Sequence, residues 1–135
     1  MKHDIQLVDA KLENLSIIAD FIHKSIVKFD VDEKIGYQIQ TAVDEACTNI
    51  MIYAYPLKNG KINISCIKDG KQVIIIIEDW GKSWDPNTIK KPDLNSDLHE
   101  RKIGGLGIHF IKTFMDQVSY QRESEKNILT MTKII

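Results

Sequence analysis

KINISCIKDGKQVIIIIEDWG, residues 61–81, contains two β-rich runs joined by a turn. Lys61 to Ile67 and Gln72 to Glu78 flank Lys68-Asp69-Gly70-Lys71, and Asp-Gly between such runs is a strong hairpin signal. The two runs are therefore expected to pair antiparallel. Val73-Ile74-Ile75-Ile76-Ile77 is uninterrupted, as in a buried strand, and it leads into Asp79, Trp80 and Gly81. An acid thus stands at the strand's end, and Gly81 permits a backbone turn that a β-carbon would obstruct.

Outward from this hairpin the hydrophobic period changes several times. Ile5 to Val8 reads as a short opening strand. From Leu12 to about Phe29, residues Leu15, Ile18, Ala19, Ile22 and Ile26 recur at helical spacing. Asp32 is placed to cap a second helix with Ile35, Ile39, Ala42, Val43, Ala46, Ile50 and Ala54 on its buried face, ended by Pro56 and Gly60. On the other side, residues 83–103 are polar, contain Pro86 and Pro92 and show little periodicity, which suggests a loop or lid. Ile108, Ile111, Phe114 and Met115 resume a helical pattern, and Val118 to Gln121 and Ile128 to Ile134 would close the sheet. The expected architecture is α/β in two layers, with helices on one face of a mixed, mainly antiparallel sheet. With 135 residues, one domain spanning 1–135 with one ordinary core is expected.

Composition narrows the function classes. Charged residues are 27% of the chain but the formal net charge is -1, so no overall field attracts nucleic acid or an anionic membrane. Val73 to Ile77 is far too short to cross a bilayer, and no long apolar segment follows Met1-Lys2-His3-Asp4, so a cytoplasmic location is expected. Cys47 and Cys66 lie among apolar neighbours without metal-ligand pairing, which favours buried, reduced thiols. His3, His23, His99 and His109 have no metal spacing.

Two further segments carry chemistry. Glu45 and Asn49 are four positions apart on the second helix and so share a face, with Asn49 at the margin of the apolar stripe and Glu45 just outside it. An isolated pair of this kind is most often a solvated helix edge. Gly104, Gly105, Leu106 and Gly107 precede and enter the last helix, where backbone N–H groups and the helix N-terminus suit phosphate oxygens. Alone, such a segment is more often simply a loop and a helix start.

In their order and spacing, Glu45-x-x-x-Asn49, Asp79-x-Gly81 and Gly104-Gly105-Leu106-Gly107 resemble the N, G1 and G2 boxes of the GHKL ATPase superfamily. More narrowly they resemble its anti-sigma factor/serine-protein kinase branch. Asp79 to Pro86 also resembles the family's D-x-G-x-x-(aromatic)-D-P pattern, with Trp84 at the aromatic position. The resemblance implies a Bergerat-type ATP-binding fold, with Glu45 as general base and Asn49 as a magnesium ligand. It implies that Asp79 accepts a hydrogen bond from the adenine amino group, that Gly81 lets the backbone approach the purine, and that the glycines surround the phosphates and hinge the lid. ATP and Mg2+ are the implied cofactors. The implied partners are an anti-anti-sigma (STAS-type) protein phosphorylated on a hydroxyl, a sigma factor and a second copy of the chain in a homodimer. One departure stands out: many relatives place arginine or a small polar residue before the G-x-G core, where this chain has Gly104 preceded by Ile103. Arg101 and Lys102 are candidates for the missing cation. A noncatalytic ATP-dependent interaction module and an ATP-hydrolysing switch are the alternative readings.

Overall fold

The computed structural model describes residues 2–57, 59–86 and 105–135, with side chains from residue 109 onward in the last segment. Strand β1 spans Lys2–Asp9, and after a 3-10 turn at Leu12–Asn14 helix α1 spans Leu15–Lys28. Helix α2, Glu33–Asn49, continues as a π turn over Ile50–Ala54. Strands β2, Lys61–Asp69, and β3, Gln72–Asp79, follow, and then helix α3, Gly105–Phe114, β4, Gln117–Glu123, and β5, Lys126–Ile134.

Local chemistry accounts for these boundaries. Helix α1 ends in a Schellman motif: Asp30 takes φ 56°, its N–H donates to Val27, and the Val31 N–H donates to Ile26. The Asp32 carboxylate then accepts from the Lys34 N–H at 3.2 Å and caps α2, as its sequence position foretold. The β2–β3 hairpin closes with Asp69 opposite Gln72 and Gly70 at φ 60°, the sense a two-residue turn requires at its first central position.

The sheet order is β1-β2-β3-β5-β4, and every described pair is antiparallel, where the sequence allowed a mixed sheet. The path through α1 and α2 returns β2 against β1 in the opposite direction, and β5 enters beside β3 antiparallel to it. One face of the sheet, including Ile62, Ile64, Cys66, Ile75, Ile77, Leu129 and Met131, is buried against Ile18, Ile22, Ile39, Ala42, Val43 and Ala46 of the helices. The helices thus cover one face, as expected. Both cysteines are free and buried, and burial raises both thiols, that of Cys66 to about 12. No described helix is long and apolar enough to cross a membrane.

Candidate functional site

Helix α2 buries Ile39, Ala42, Val43, Ala46 and Cys47 at helical spacing, and its last residue is buried and polar: Asn49. Its Nδ2 donates to the Glu45 carbonyl at 2.8 Å, whereas its Oδ1 has no hydrogen-bond partner. Among the described residues it is the one buried side-chain polar atom left so. An unmatched buried acceptor costs about 1–3 kcal/mol, so this oxygen is an acceptor in want of a ligand. Directly after it the backbone widens into the π turn, with the Tyr55 N–H reaching the Ile50 carbonyl at 3.1 Å, a distortion often found beside functional groups. Glu45, one turn earlier, is half-buried, and burial first, then the Asp44 charge, raises its carboxyl above the ordinary range. That makes it a better proton acceptor than a solvated glutamate.

Asp79 ends β3 on the helix-facing side of the sheet and is 1% exposed. Oδ1 accepts from Asn127 Nδ2 at 2.7 Å and from the Gly81 N–H at 2.9 Å, and Oδ2 accepts from Trp84 Nε1 at 3.2 Å. Burial raises the Asp79 carboxyl, while the bonds from Asn127, Gly81 and Trp84 and the Arg122 charge oppose that rise. Gly81 owes its identity to the π turn: an added β-carbon would stand 2.4 Å from the Ala54 carbonyl oxygen. The Lys82 N–H donates to that same oxygen at 2.9 Å. Tyr55 completes the clasp, its hydroxyl donating to the Lys61 carbonyl at 2.8 Å and accepting from the Trp80 N–H at 2.7 Å. The end of β3 is thus fastened to the segment that follows Asn49.

The third segment arrives through α3, which packs against α2. Gly105, Leu106 and Gly107 form its first turn, where N–H groups lack intrahelical acceptors. Gly104, Arg101 and Lys102 lie outside the described residues, as does the expected lid at 83–103 beyond residue 86. Ile111 and Met115 are buried, in keeping with the helical pattern that marked them.

Three participants escaped the sequence reading. Register sets Asp79 opposite Asn127, and Asn127 opposite Arg122. The buried Asn127 donates to Asp79 and, at 2.9 Å, to the Lys82 carbonyl. Its own Oδ1 accepts from the Tyr120 hydroxyl at 2.6 Å and from Arg122 at 2.7 Å. The available signal was parity: Asn127, Leu129 and Met131 share the inward side of β5, so a strand begun at Asn127 instead of Ile128 places a carboxamide in the core row.

Comparison with known proteins adds independent findings. Residues 8–133 match the family model described as a histidine kinase-like ATPase domain. The chain is similar to an anti-sigma F factor of Clostridium kluyveri, with 37% identity over 89 residues, 66% of this chain and 61% of that protein. It is also similar to the serine-protein kinase RsbW of Halalkalibacterium halodurans, with 31% identity over 115 residues, 78% of this chain and 70% of the relative. A serine/threonine-protein kinase, BtrW, of Bordetella bronchiseptica is 30% identical over 100 residues, 73% of this chain and 70% of the relative. A crystal structure of RsbU and RsbW domains from Mycobacterium tuberculosis superposes with a TM-score of 0.70 over 99% of this chain and 32% of that one. At 13% identity that likeness concerns the fold.

Proposed function

The chain belongs to the histidine kinase-like ATPase domain family, and on that premise we propose that it binds ATP with magnesium and phosphorylates a small protein partner on a hydroxyl. In this reading it is an anti-sigma factor and serine/threonine protein kinase. Relatives named anti-sigma F factor, serine-protein kinase RsbW and serine/threonine-protein kinase BtrW support the reading, although the chain spans 61% of the length of the first of these. The observation that carries it is the buried, unpartnered Asn49 Oδ1 one helical turn from the half-buried Glu45.

An amide oxygen without a partner fits a hard cation that takes few ligands from protein. Asn49 would hold magnesium, which when bound neutralises charge on the phosphates. Asp79, kept an acceptor by its donors, would receive the amino group of adenine. Gly81 brings the backbone near the base, and the N–H groups of Gly104, Gly105, Leu106 and Gly107 would face phosphate oxygens. Glu45 would take the proton of the attacking hydroxyl as its oxygen bonds to the γ-phosphorus. The bond from that phosphorus to the β–γ bridging oxygen breaks, and ADP leaves. Positioning and electrostatics then supply most of the rate. The partner is an anti-anti-sigma protein of STAS type, a sigma factor is the second target, and the chain works as a homodimer in the cytoplasm.

Nucleotide titration combined with single-turnover transfer from labelled ATP to the recovered partner tests this. Glu45→Gln should leave ATP affinity nearly unchanged and lower transfer by about 10²–10⁴-fold. Asn49→Ala should weaken both magnesium-dependent binding and transfer. No ATP binding by the wild type at millimolar nucleotide would sink the proposal. Binding without transfer would favour an interaction module, and phosphate release without a partner would favour a hydrolytic switch.

A further inference from the structure

The Asp79 carboxylate is held asymmetrically. Oδ1 is bonded by two donors of the framework, the Gly81 N–H at 2.9 Å and Asn127 Nδ2 at 2.7 Å. Asn127 cannot turn away, because Tyr120 and Arg122 both donate to its oxygen and the Lys82 carbonyl takes its amide hydrogen. Among the described residues Oδ2 is bonded only by the Trp84 indole, at 3.2 Å the longest contact of the three. Trp84 belongs to the chain leaving the sheet, and its backbone N–H donates to the Tyr120 hydroxyl at 3.1 Å while its ring meets Tyr120 edge-on at 5.7 Å. Asp79 and Trp84 are 1% and 4% exposed, so no ligand reaches Oδ2 unless something on it moves.

We propose that the Trp84 indole is a stand-in for the nucleotide's amino group: its N–H satisfies Asp79 Oδ2 in the empty protein, and an aminopurine displaces it on binding. The inference rests on the assignment of Asp79 as the base acceptor. Both donors are neutral N–H groups on planar aromatic systems, so one replaces the other at the carboxylate without loss of a hydrogen bond. A phenylalanine at position 84 would fill similar space but leave a buried, charged oxygen short of a donor. Tryptophan instead keeps the empty site satisfied, at the cost of competing with the ligand.

Trp80→Phe leaves Trp84 as the sole tryptophan of the chain. Titrating that variant with magnesium-ATP, with occupancy measured by calorimetry, should shift the Trp84 emission to the red with the calorimetric midpoint. In otherwise wild-type protein, Trp84→Phe should bind ATP about tenfold more tightly, the indole's competition being gone. It should also melt at a lower temperature without nucleotide. Unchanged Trp84 emission at calorimetric saturation would overturn the proposal while leaving ATP binding intact, as would weaker ATP binding by a folded Trp84→Phe protein. Should that variant not fold, the emission titration decides alone. Absence of any heat of ATP binding in the wild type would instead overturn the nucleotide reading, and this inference with it.

Discussion

Replacing Gly81 by alanine puts a methyl group where the chain has no room for one. Its carbon would lie 2.4 Å from the Ala54 carbonyl oxygen, 2.7 Å from the carbonyl carbon and 2.8 Å from Ala54 Cβ, against 3.4 Å or more in ordinary contacts. None of these atoms moves with a rotamer change, so the π turn and the end of β3 must part by about 1 Å. Parting them stretches the Lys82 N–H bond to Ala54 and tilts the Gly81 N–H away from Asp79, both now 2.9 Å. Overpacking of this kind costs about 1–3 kcal/mol. Weakening two hydrogen bonds, one of them to a carboxylate, adds about 1 kcal/mol. Against this, alanine restricts the unfolded chain and returns about 0.4–1 kcal/mol. The expected balance is a destabilisation of about 1–3.5 kcal/mol, together with weaker ATP binding if displaced Asp79 has its proposed role as base acceptor. Urea denaturation followed by circular dichroism, with the slope m unchanged, measures the first part, and calorimetry the second. Gly70→Ala is the control: its surroundings are open and only its φ of 60° is strained, so ATP binding should persist. A Gly81→Ala protein within about 0.5 kcal/mol of wild type would refute the tight apposition to Ala54.

Burial holds the Asp79 carboxyl above the usual aspartate value of 3.8, so the folded protein binds that proton more tightly than the unfolded chain. Its stabilising contribution is full below 3.8 and is lost as pH rises through the folded value, whereas with Asp79 in its proposed role as the ionised base acceptor, ATP affinity should fall as pH drops through that same value. Melting and ATP titration of the wild type against Asp79→Asn, from about pH 4 to 7, should show these opposed trends in the difference between the two proteins, and parallel curves would contradict them. Ser124 turns the β4–β5 hairpin at φ 53°, a conformation that costs an L-residue with a β-carbon about 1–2 kcal/mol, so Ser124→Gly should stabilise the protein by up to about 1 kcal/mol after the added freedom of the unfolded chain is counted. A lowered urea midpoint for that variant would count against it.

The elements legible in the sequence were those set by short-range signals. Two β-rich runs joined by Asp69-Gly70 announced the β2–β3 hairpin, Asp32 announced the start of α2, and the uninterrupted run before Asp79 announced a strand whose end delivers an acid. Glu45 and Asn49 were legible as a pair because four residues make one helical turn. The widening of the helix into a π turn after Asn49 had no such signal, since Ile50, Met51 and Ile52 suit an ordinary helix equally well.

What the chain determined by itself was the kind of elements and the side chains they present, because propensity, capping and turn chemistry act over a few residues. Which side chains meet was decided by the tertiary structure. Asn127 reaches Asp79 across 48 positions because β5 inserts between β3 and β4, a choice made by sheet pairing. Gly81 faces Ala54 because the π turn after α2 is fastened to the end of β3 through Tyr55 and Lys82. The unsatisfied oxygen of Asn49 also exists only in the folded chain, since an amide is left without a partner only where packing has removed the water that would otherwise bond to it.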